Sequence, residues 1–136
     1  MTPNEAQKAL ETFFAPWVRA LDLTFTDIEP GKATATMPIT DDLTRIGDIL
    51  SGQALAAMAD TIMVFACAAQ EGGFKPFATT NLDTQFLRAG EGTHIRCEAE
   101  VVKPGKAVYF ARAAMFAEPS GKRVAEASAT FYIAGA

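Results

Sequence analysis

Hydrophobic and polar positions follow different rhythms along the first part of the chain. In residues 1–21, apolar side chains recur every three or four positions, which predicts an N-terminal helix that Pro16 breaks or kinks. Residues 23–40 alternate on both sides of a turn at Glu29-Pro30-Gly31-Lys32, the pattern of a β-hairpin. Residues 41–50 show no clear period, and we interpret them as a loop.

A nearly uniform apolar segment comes next, at residues 51–70. Between Gln53 and Ala69 it contains only three polar residues, Gln53, Asp60 and Thr61. A helix that is apolar on nearly every side must be buried on nearly every side. The segment therefore predicts a central helix around which a sheet is wrapped.

Strand-like runs fill the rest of the chain, and each is separated from the next by a turn that contains glycine or proline. The runs cover residues 77–87, 93–102, 107–117 and 123–133. The order of helix, hairpin, long buried helix and meander predicts an α+β fold. We expect an antiparallel sheet around one central helix, in a single domain of residues 1–136.

Composition and charge argue against several partners. The formal net charge of −4 and the pI near 4.9 disfavour binding to nucleic acid, which needs clustered Lys and Arg. Residues 1–8 lack a secretory-signal pattern, so we expect a cytoplasmic protein. The apolar run at residues 54–69 is short for a membrane span of about 20 residues and is interrupted by Asp60, so no membrane partner is expected. Cys67 and Cys97 lack metal-ligand spacing, and we predict no metal site.

Asp60 is the strongest chemical signal in the sequence. A carboxylate in the middle of an apolar helix must find a partner or lose free energy through desolvation. Burial would raise its pKa toward the working pH, as a general base requires. The structural alternative is an Asp60 that is hydrogen-bonded to Thr61, or across a subunit interface, without a catalytic role.

Several motifs, taken in order and spacing, resemble the hotdog-fold acyl-CoA thioesterases of the phenylacetate and 4-hydroxybenzoyl-CoA type. The resemblance covers roughly residues 23–133. It rests on Gly47-x-x-x-Ser51-Gly52-Gln53, Leu55-x-x-x-x-Asp60, Thr79 to Arg88, Val102 to Lys106, and Gly121 to Phe131. In that family a His-Gly-Gly segment commonly opens the central helix, and an acid stands nine residues after the His. Asp60 falls on the acid, and Gly52 falls on the first Gly.

The resemblance implies a thioesterase that releases a carboxylic acid and free coenzyme A. It implies a homodimer or homotetramer that needs no cofactor, because the coenzyme A thioester is itself the substrate. Asp60 would be the general base or nucleophile, and the Gly52 backbone N–H would donate to the oxyanion. Thr79 or Thr80 would assist. Candidate substrate-binding residues, some of them basic residues suited to coenzyme A phosphates, are Ser51, Gln53, Arg45, Asn81, Arg88, Lys103 and Lys106.

Three of the family's usual residues are replaced in this chain. Ser51 stands where the family commonly has His, and we expect it to be the N-cap of the helix. Gln53 replaces the second Gly, and Thr44 and Arg45 lie near the place of a common Asn. A non-hydrolytic acyl-CoA-binding or regulatory protein of the same fold is therefore the alternative function.

Helix geometry makes one further prediction about the site. Ser51 and Asp60 are nine residues apart, which is about 13 Å along a helix and places them on opposite faces. Both ends of the segment cannot contact one thioester within a single chain. If both act on it, the helix start of one subunit must meet Asp60 of another.

Overall fold

The computed structural model describes residues 1–135 and contains an antiparallel sheet in which six strands follow the order β1-β2-β6-β7-β8-β5. The predicted α+β hotdog architecture, an antiparallel sheet with one long central helix, is confirmed. The helices are α1 (Pro3–Phe13), α2 (Pro16–Arg19) and α3 (Gly52–Glu71). The strands are β1 (Thr24–Glu29), β2 (Lys32–Pro38), β3 (Thr44–Arg45), β4 (Ile49–Leu50), β5 (Phe77–Phe86), β6 (His94–Lys103), β7 (Val108–Glu118) and β8 (Lys122–Ile133).

The central helix α3 lies across the inner face of the sheet. Four of its own side chains are completely buried: Met58, Ile62, Met63 and Phe65. By length and composition α3 could cross a membrane, but 72% of its most apolar window is buried inside the protein. It is therefore the core helix that its apolar pattern predicts.

Proline divides the N-terminal segment into two helices. α1 begins with a capping box, in which Thr2 and Glu5 each accept a hydrogen bond from the other residue's backbone N–H. The chain becomes extended at Phe14, and Pro16 then opens the short helix α2. The predicted break at Pro16 thus separates α1 from α2.

The prediction of an irregular loop at residues 41–50 is wrong. Asp41–Leu43 forms a 3₁₀ turn, and β3 and β4 pair as a small hairpin. Gly47 and Asp48 have positive φ angles of 93° and 58°, and the Asp48 N–H donates to the Arg45 carbonyl at 3.1 Å. Each strand has only two residues, too few for a visible alternation.

The two edges of the sheet differ. At one edge, the Gln7 side chain donates to the Leu23 carbonyl at 2.8 Å and accepts from the Phe25 N–H at 3.0 Å. This ties α1 to the beginning of β1. At the other edge, β5 is paired only with β8 among the described residues, and both of its faces are largely exposed. Leu82 and Phe86 lie on this open strand.

Candidate active site

The start of α3 is fixed by local hydrogen bonds. Ser51 Oγ accepts from the Ala54 N–H at 3.2 Å, so the predicted N-cap is confirmed. The Ser51 N–H donates to the Leu43 carbonyl at 2.9 Å, and the Leu50 N–H donates to the Gly90 carbonyl at 3.1 Å. These bonds tie the chain at the helix start to the 3₁₀ turn at Leu43 and to the loop after β5 at Gly90.

We expect Ser51→Ala to lower the free energy of unfolding by about 1 kcal/mol, because the Ala54 N–H loses its side-chain acceptor. Turnover should change little. Thermal denaturation and steady-state kinetics of the purified variant would measure both quantities. A large loss of kcat at unchanged stability would instead give Ser51 a chemical role.

Gly52 is the first residue of α3, and its backbone N–H has no hydrogen-bond partner within residues 1–135. The first N–H groups of a helix have no intrahelical acceptor, and the helix dipole makes this end electropositive. A Cβ at this position would lie 3.2 Å from the Phe86 ring, so glycine fits the close approach of that side chain. The N–H is thus free to bind an oxygen atom of a ligand.

Two arginines line the same cavity as Gly52. Arg45 and Arg88 line a cavity of about 300 Å³, which we name the helix-start cavity, together with Gly52 and Phe86. Neither arginine forms a salt bridge with a carboxylate in the described part of the chain. The cavity therefore combines unpaired positive charge with a free backbone donor, a combination that suits an anionic ligand.

Asp60 lies in a second cavity, of about 410 Å³, which we name the Asp60 cavity. The Thr79 hydroxyl donates to Asp60 Oδ1 at 2.8 Å. Desolvation by burial raises the pKa of the Asp60 carboxyl above its usual value, while the hydrogen bond from Thr79 opposes this rise. A half-buried carboxylate with a raised pKa is well suited to accept a proton near neutral pH.

Thr79 and Thr80 are placed in different environments. The Thr80 hydroxyl donates to the Thr130 carbonyl at 3.2 Å, so it does not assist Asp60. The register of β5 against β8 shifts between Thr79 and Asn81, which makes Thr80 the extra residue of a bulge. The Thr61 hydroxyl donates to the Ala57 carbonyl at 2.7 Å, so the suggested pairing of Asp60 with Thr61 is absent.

The remaining candidate residues do not gather at either cavity. Gln53 is exposed beside the helix start, and Asn81 lies on β5. Lys103 ends β6, and Lys106 lies in the turn that follows. None of these four side chains lines the helix-start cavity or the Asp60 cavity. For Lys103 and Lys106 the structure thus offers no support for a contact with substrate in the single chain.

The aromatic wall of the Asp60 cavity was not among the predicted site residues. Phe13, Phe14 and Trp17 of the N-terminal segment all line this cavity. An apolar residue that falls outside the buried stripe of an amphipathic helix is the signal that could have identified them.

The helix-start cavity and the Asp60 cavity share no lining residue. This separation agrees with the distance of nine residues along α3 between Ser51 and Asp60. A larger depression of about 570 Å³ lies elsewhere, on the outer face of the sheet. Its lining charges include two ion pairs, Arg112 with Glu100 and Arg123 with Glu126.

Comparison with known protein families places the chain in one of them. Residues 42–132, more than half of the chain, match the acyl-CoA thioesterase N-terminal domain, and the chain belongs to this family. The class of activity is therefore that of a thioester hydrolase.

Individual relatives are distant. A candidate esterase of Thermoplasma acidophilum is 23% identical over 122 residues, which cover 86% of this chain and 87% of that protein. Zebra fish thioesterase superfamily member 2 has a TM-score of 0.86 at 23% identity, with 98% of this chain and 99% of that chain covered. The PaaI protein from the phenylacetic acid degradation operon of Escherichia coli has a TM-score of 0.83 at 20% identity, with coverages of 99% and 97%. At these identities the solved structures show a common fold.

Proposed function

We propose that this protein hydrolyses an acyl-CoA thioester to a carboxylic acid and free coenzyme A, with Asp60 as its catalytic carboxylate. The observation that carries the proposal is the environment of Asp60. This carboxylate is half-buried, its pKa is raised, and its Oδ1 accepts a hydrogen bond from Thr79 at the edge of an apolar cavity. The phenylacetate-type subgroup is part of the proposal because the segment from Gly47 to Asp60 resembles the motifs of that group.

The chemistry follows from the two cavities. The thioester carbonyl accepts a hydrogen bond from the free Gly52 N–H, which stabilises the negative charge that develops on this oxygen. As a general base, Asp60 removes a proton from a water molecule whose oxygen attacks the carbonyl carbon. The bond from carbon to sulfur then breaks, and the coenzyme A thiolate leaves and takes up a proton. As a nucleophile, Asp60 would itself attack the carbonyl and form an anhydride that water later hydrolyses.

The same arrangement assigns a role to the arginines. Coenzyme A carries phosphate groups, and a guanidinium group binds phosphate through two parallel hydrogen bonds. Arg45 and Arg88 line the same cavity as Gly52 and form no salt bridge within the described residues. The coenzyme A part of the substrate is thus bound at the helix start, and the acyl part extends toward Asp60.

A homodimer brings these parts together. The open edge of β5 offers unpaired backbone donors and acceptors to a second chain. Antiparallel pairing of two β5 strands around a twofold axis yields two equivalent sites. Each site then combines the helix-start cavity of one chain with the Asp60 cavity of the other, as the helix geometry requires.

Thiol release from a series of acyl-CoA thioesters tests the proposed reaction. Acetyl-CoA, hexanoyl-CoA and benzoyl-CoA would be incubated with the wild-type protein, and free coenzyme A would be measured with a thiol reagent. Hydrolysis of at least one thioester, at least about 100-fold slower with the Asp60→Asn variant, is the expected result. Tight binding without thiol release would support the alternative, an acyl-CoA-binding protein.

The hydrogen bond from Thr79 predicts a shift in the pH profile. Thr79→Val removes a donor that lowers the pKa of Asp60, so the pKa of this carboxyl should rise further. Asp60 accepts a proton only when it is ionised, and activity is lost as pH falls through its pKa. The acidic limb of the kcat profile should therefore move to higher pH. Thr80→Val is the matched control, and its acidic limb should stay in place because Thr80 does not contact Asp60.

A further inference from the structure

The N-terminal segment forms one wall of the Asp60 cavity, although it lies outside the residues that match the thioesterase family. Phe13, Phe14, Trp17 and Val18 supply this wall. Ala57, Thr61 and Val64 of α3 and Phe74, Pro76 and Phe77 supply the rest, next to Asp60 and Thr79. The cavity thus joins a catalytic carboxylate to a mainly apolar enclosure.

The wall is held in place by contacts distant from the cavity. Ala6, Ala9 and Leu10 bury one face of α1, and Gln7 ties the same helix to the chain at Leu23 and Phe25. Pro16 then turns the chain into α2. The position of Trp17 therefore does not depend on contacts made by its own ring.

The aromatic residues of the wall fall into two groups. Phe14 packs in the core, with its ring centroid 5.4 Å from that of Phe65 and 5.8 Å from that of Phe74. Phe13 stacks on Phe74 at 4.8 Å but is 63% exposed. Trp17 is 64% exposed, and within residues 1–135 its ring has neither an aromatic neighbour nor a hydrogen-bond partner. Two large apolar side chains thus face an open cavity, where a ligand could cover them.

The lining also defines which acyl groups fit. Only Asp60, Thr61 and Thr79 contribute polar side chains, and the Thr61 hydroxyl is already bonded to Ala57. Within residues 1–135, no Lys, Arg or His lines the cavity to neutralise a carboxylate at the end of the acyl group. The Asp60 carboxylate would also repel an acyl group that ends in a carboxylate. At about 410 Å³, the cavity falls in the range of about 300–1,000 Å³ that is common for small-molecule sites.

We propose that Trp17 and Phe13 bind the acyl group of the substrate and select bulky, uncharged, apolar acyl groups over acetyl and over acyl groups with a terminal carboxylate. This inference rests on the proposed thioesterase function, because it takes Asp60 as the reacting carboxylate. It assigns specificity to a segment that the matched family domain does not include.

Kinetic selectivity provides the first test. For Trp17→Ala, kcat/KM for hexanoyl-CoA should fall by about tenfold or more, while the value for acetyl-CoA should change by less than about twofold. Trp17→Phe should recover most of the loss. Phe110→Ala is the matched control, because Phe110 is an exposed aromatic residue on the sheet and lines neither cavity. An equal loss for both thioesters, no loss at all, or efficient hydrolysis of succinyl-CoA by the wild type would overturn the proposal.

Fluorescence provides a second test that does not depend on turnover. Trp17 is the single tryptophan of the chain, so intrinsic emission reports on this position alone. Addition of hexyl-CoA, a thioether that cannot be hydrolysed, should shift the emission to shorter wavelength as the acyl chain covers the indole. Coenzyme A itself should leave the emission unchanged.

The two tests separate the acyl site from the reaction. Blue-shifted emission before ligand is added, with no response to bound hexyl-CoA, would mean that another subunit covers Trp17 and would overturn the proposal. A normal response to hexyl-CoA in a protein that hydrolyses no thioester would keep the acyl site and reject the proposed reaction.

Discussion

Asp60→Asn should lower kcat by at least about 100-fold, the usual scale for loss of a general acid or base. The amide can neither accept a proton from water at neutral pH nor attack a carbonyl. The fold should be kept, because the Thr79 hydroxyl can donate to an amide oxygen as it does to Asp60 Oδ1. Steady-state kinetics with the best thioester of the series would measure the effect, and near-normal turnover would remove Asp60 from the catalytic role.

The stability of the same variant provides an internal control. Burial raises the pKa of Asp60 above its value in the unfolded chain, so the folded protein binds this proton more tightly. The contribution of the group to stability is therefore greatest below the unfolded pKa and is lost as pH rises through the folded pKa. At pH 7 the Asn variant should unfold at the same temperature as the wild type or a higher one. A clear decrease would indicate that the loss of kcat reflects damage to the fold.

Mixed dimers of Gly52→Pro and Asp60→Asn should recover activity that neither variant has alone. Gly52→Pro removes the backbone donor at the first helical position, which accepts proline, and Ser51 already has the extended conformation that precedes proline. In a mixed dimer, one site combines the intact Gly52 of one chain with the intact Asp60 of the other. Refolding equal amounts together should give about half mixed dimers with one good site each, and thus about a quarter of wild-type activity.

Gly52→Ala is the matched control for the proline variant. It introduces the same Cβ near the Phe86 ring but keeps the backbone N–H. If Gly52→Ala is active while Gly52→Pro is not, the missing donor is responsible and not the contact with Phe86. If mixed dimers form and fold but show no activity, Gly52 and Asp60 do not act on one carbonyl across the interface.

Much of the fold could be predicted from hydrophobic periodicity, because burial imposes the pattern. The nearly uniform apolar segment predicted α3 at residues 51–70, and the structure begins this helix at Gly52 and ends it at Glu71. Strand-like runs between turns with glycine or proline located β5 to β8, and of these β7 and β8 bury nearly every second residue. The hairpin of β3 and β4 was missed because its strands are shorter than one period of the signal.

The candidate site was predicted only in part, for reasons of local geometry. The sequence could not distinguish Thr79 from Thr80, because a bulge in β5 decides which hydroxyl reaches Asp60. The sequence also could not show which basic residues lie near the start of α3. Arg45 and Arg88 are distant in sequence and meet only because the hairpin and the end of β5 both lie beside the start of α3. Proximity of this kind depends on tertiary contacts, which local sequence patterns do not reveal.

The difference between the two edges would limit how far the sheet can extend from one chain to the next. Gln7 already occupies backbone groups at the start of β1, a bulge follows at Phe25 and Asp27, and Asp27 and Glu29 place negative charge along the rest of that edge. Among the described residues, no side chain from another element bonds the backbone of β5 in this way, although β5 has a bulge of its own at Thr80. In each molecule, the β5 edge can therefore pair with a strand of a second chain, whereas the β1 edge cannot. Two molecules joined through β5 would have only closed edges left, so extension of the sheet would stop at a pair instead of continuing into a fibre.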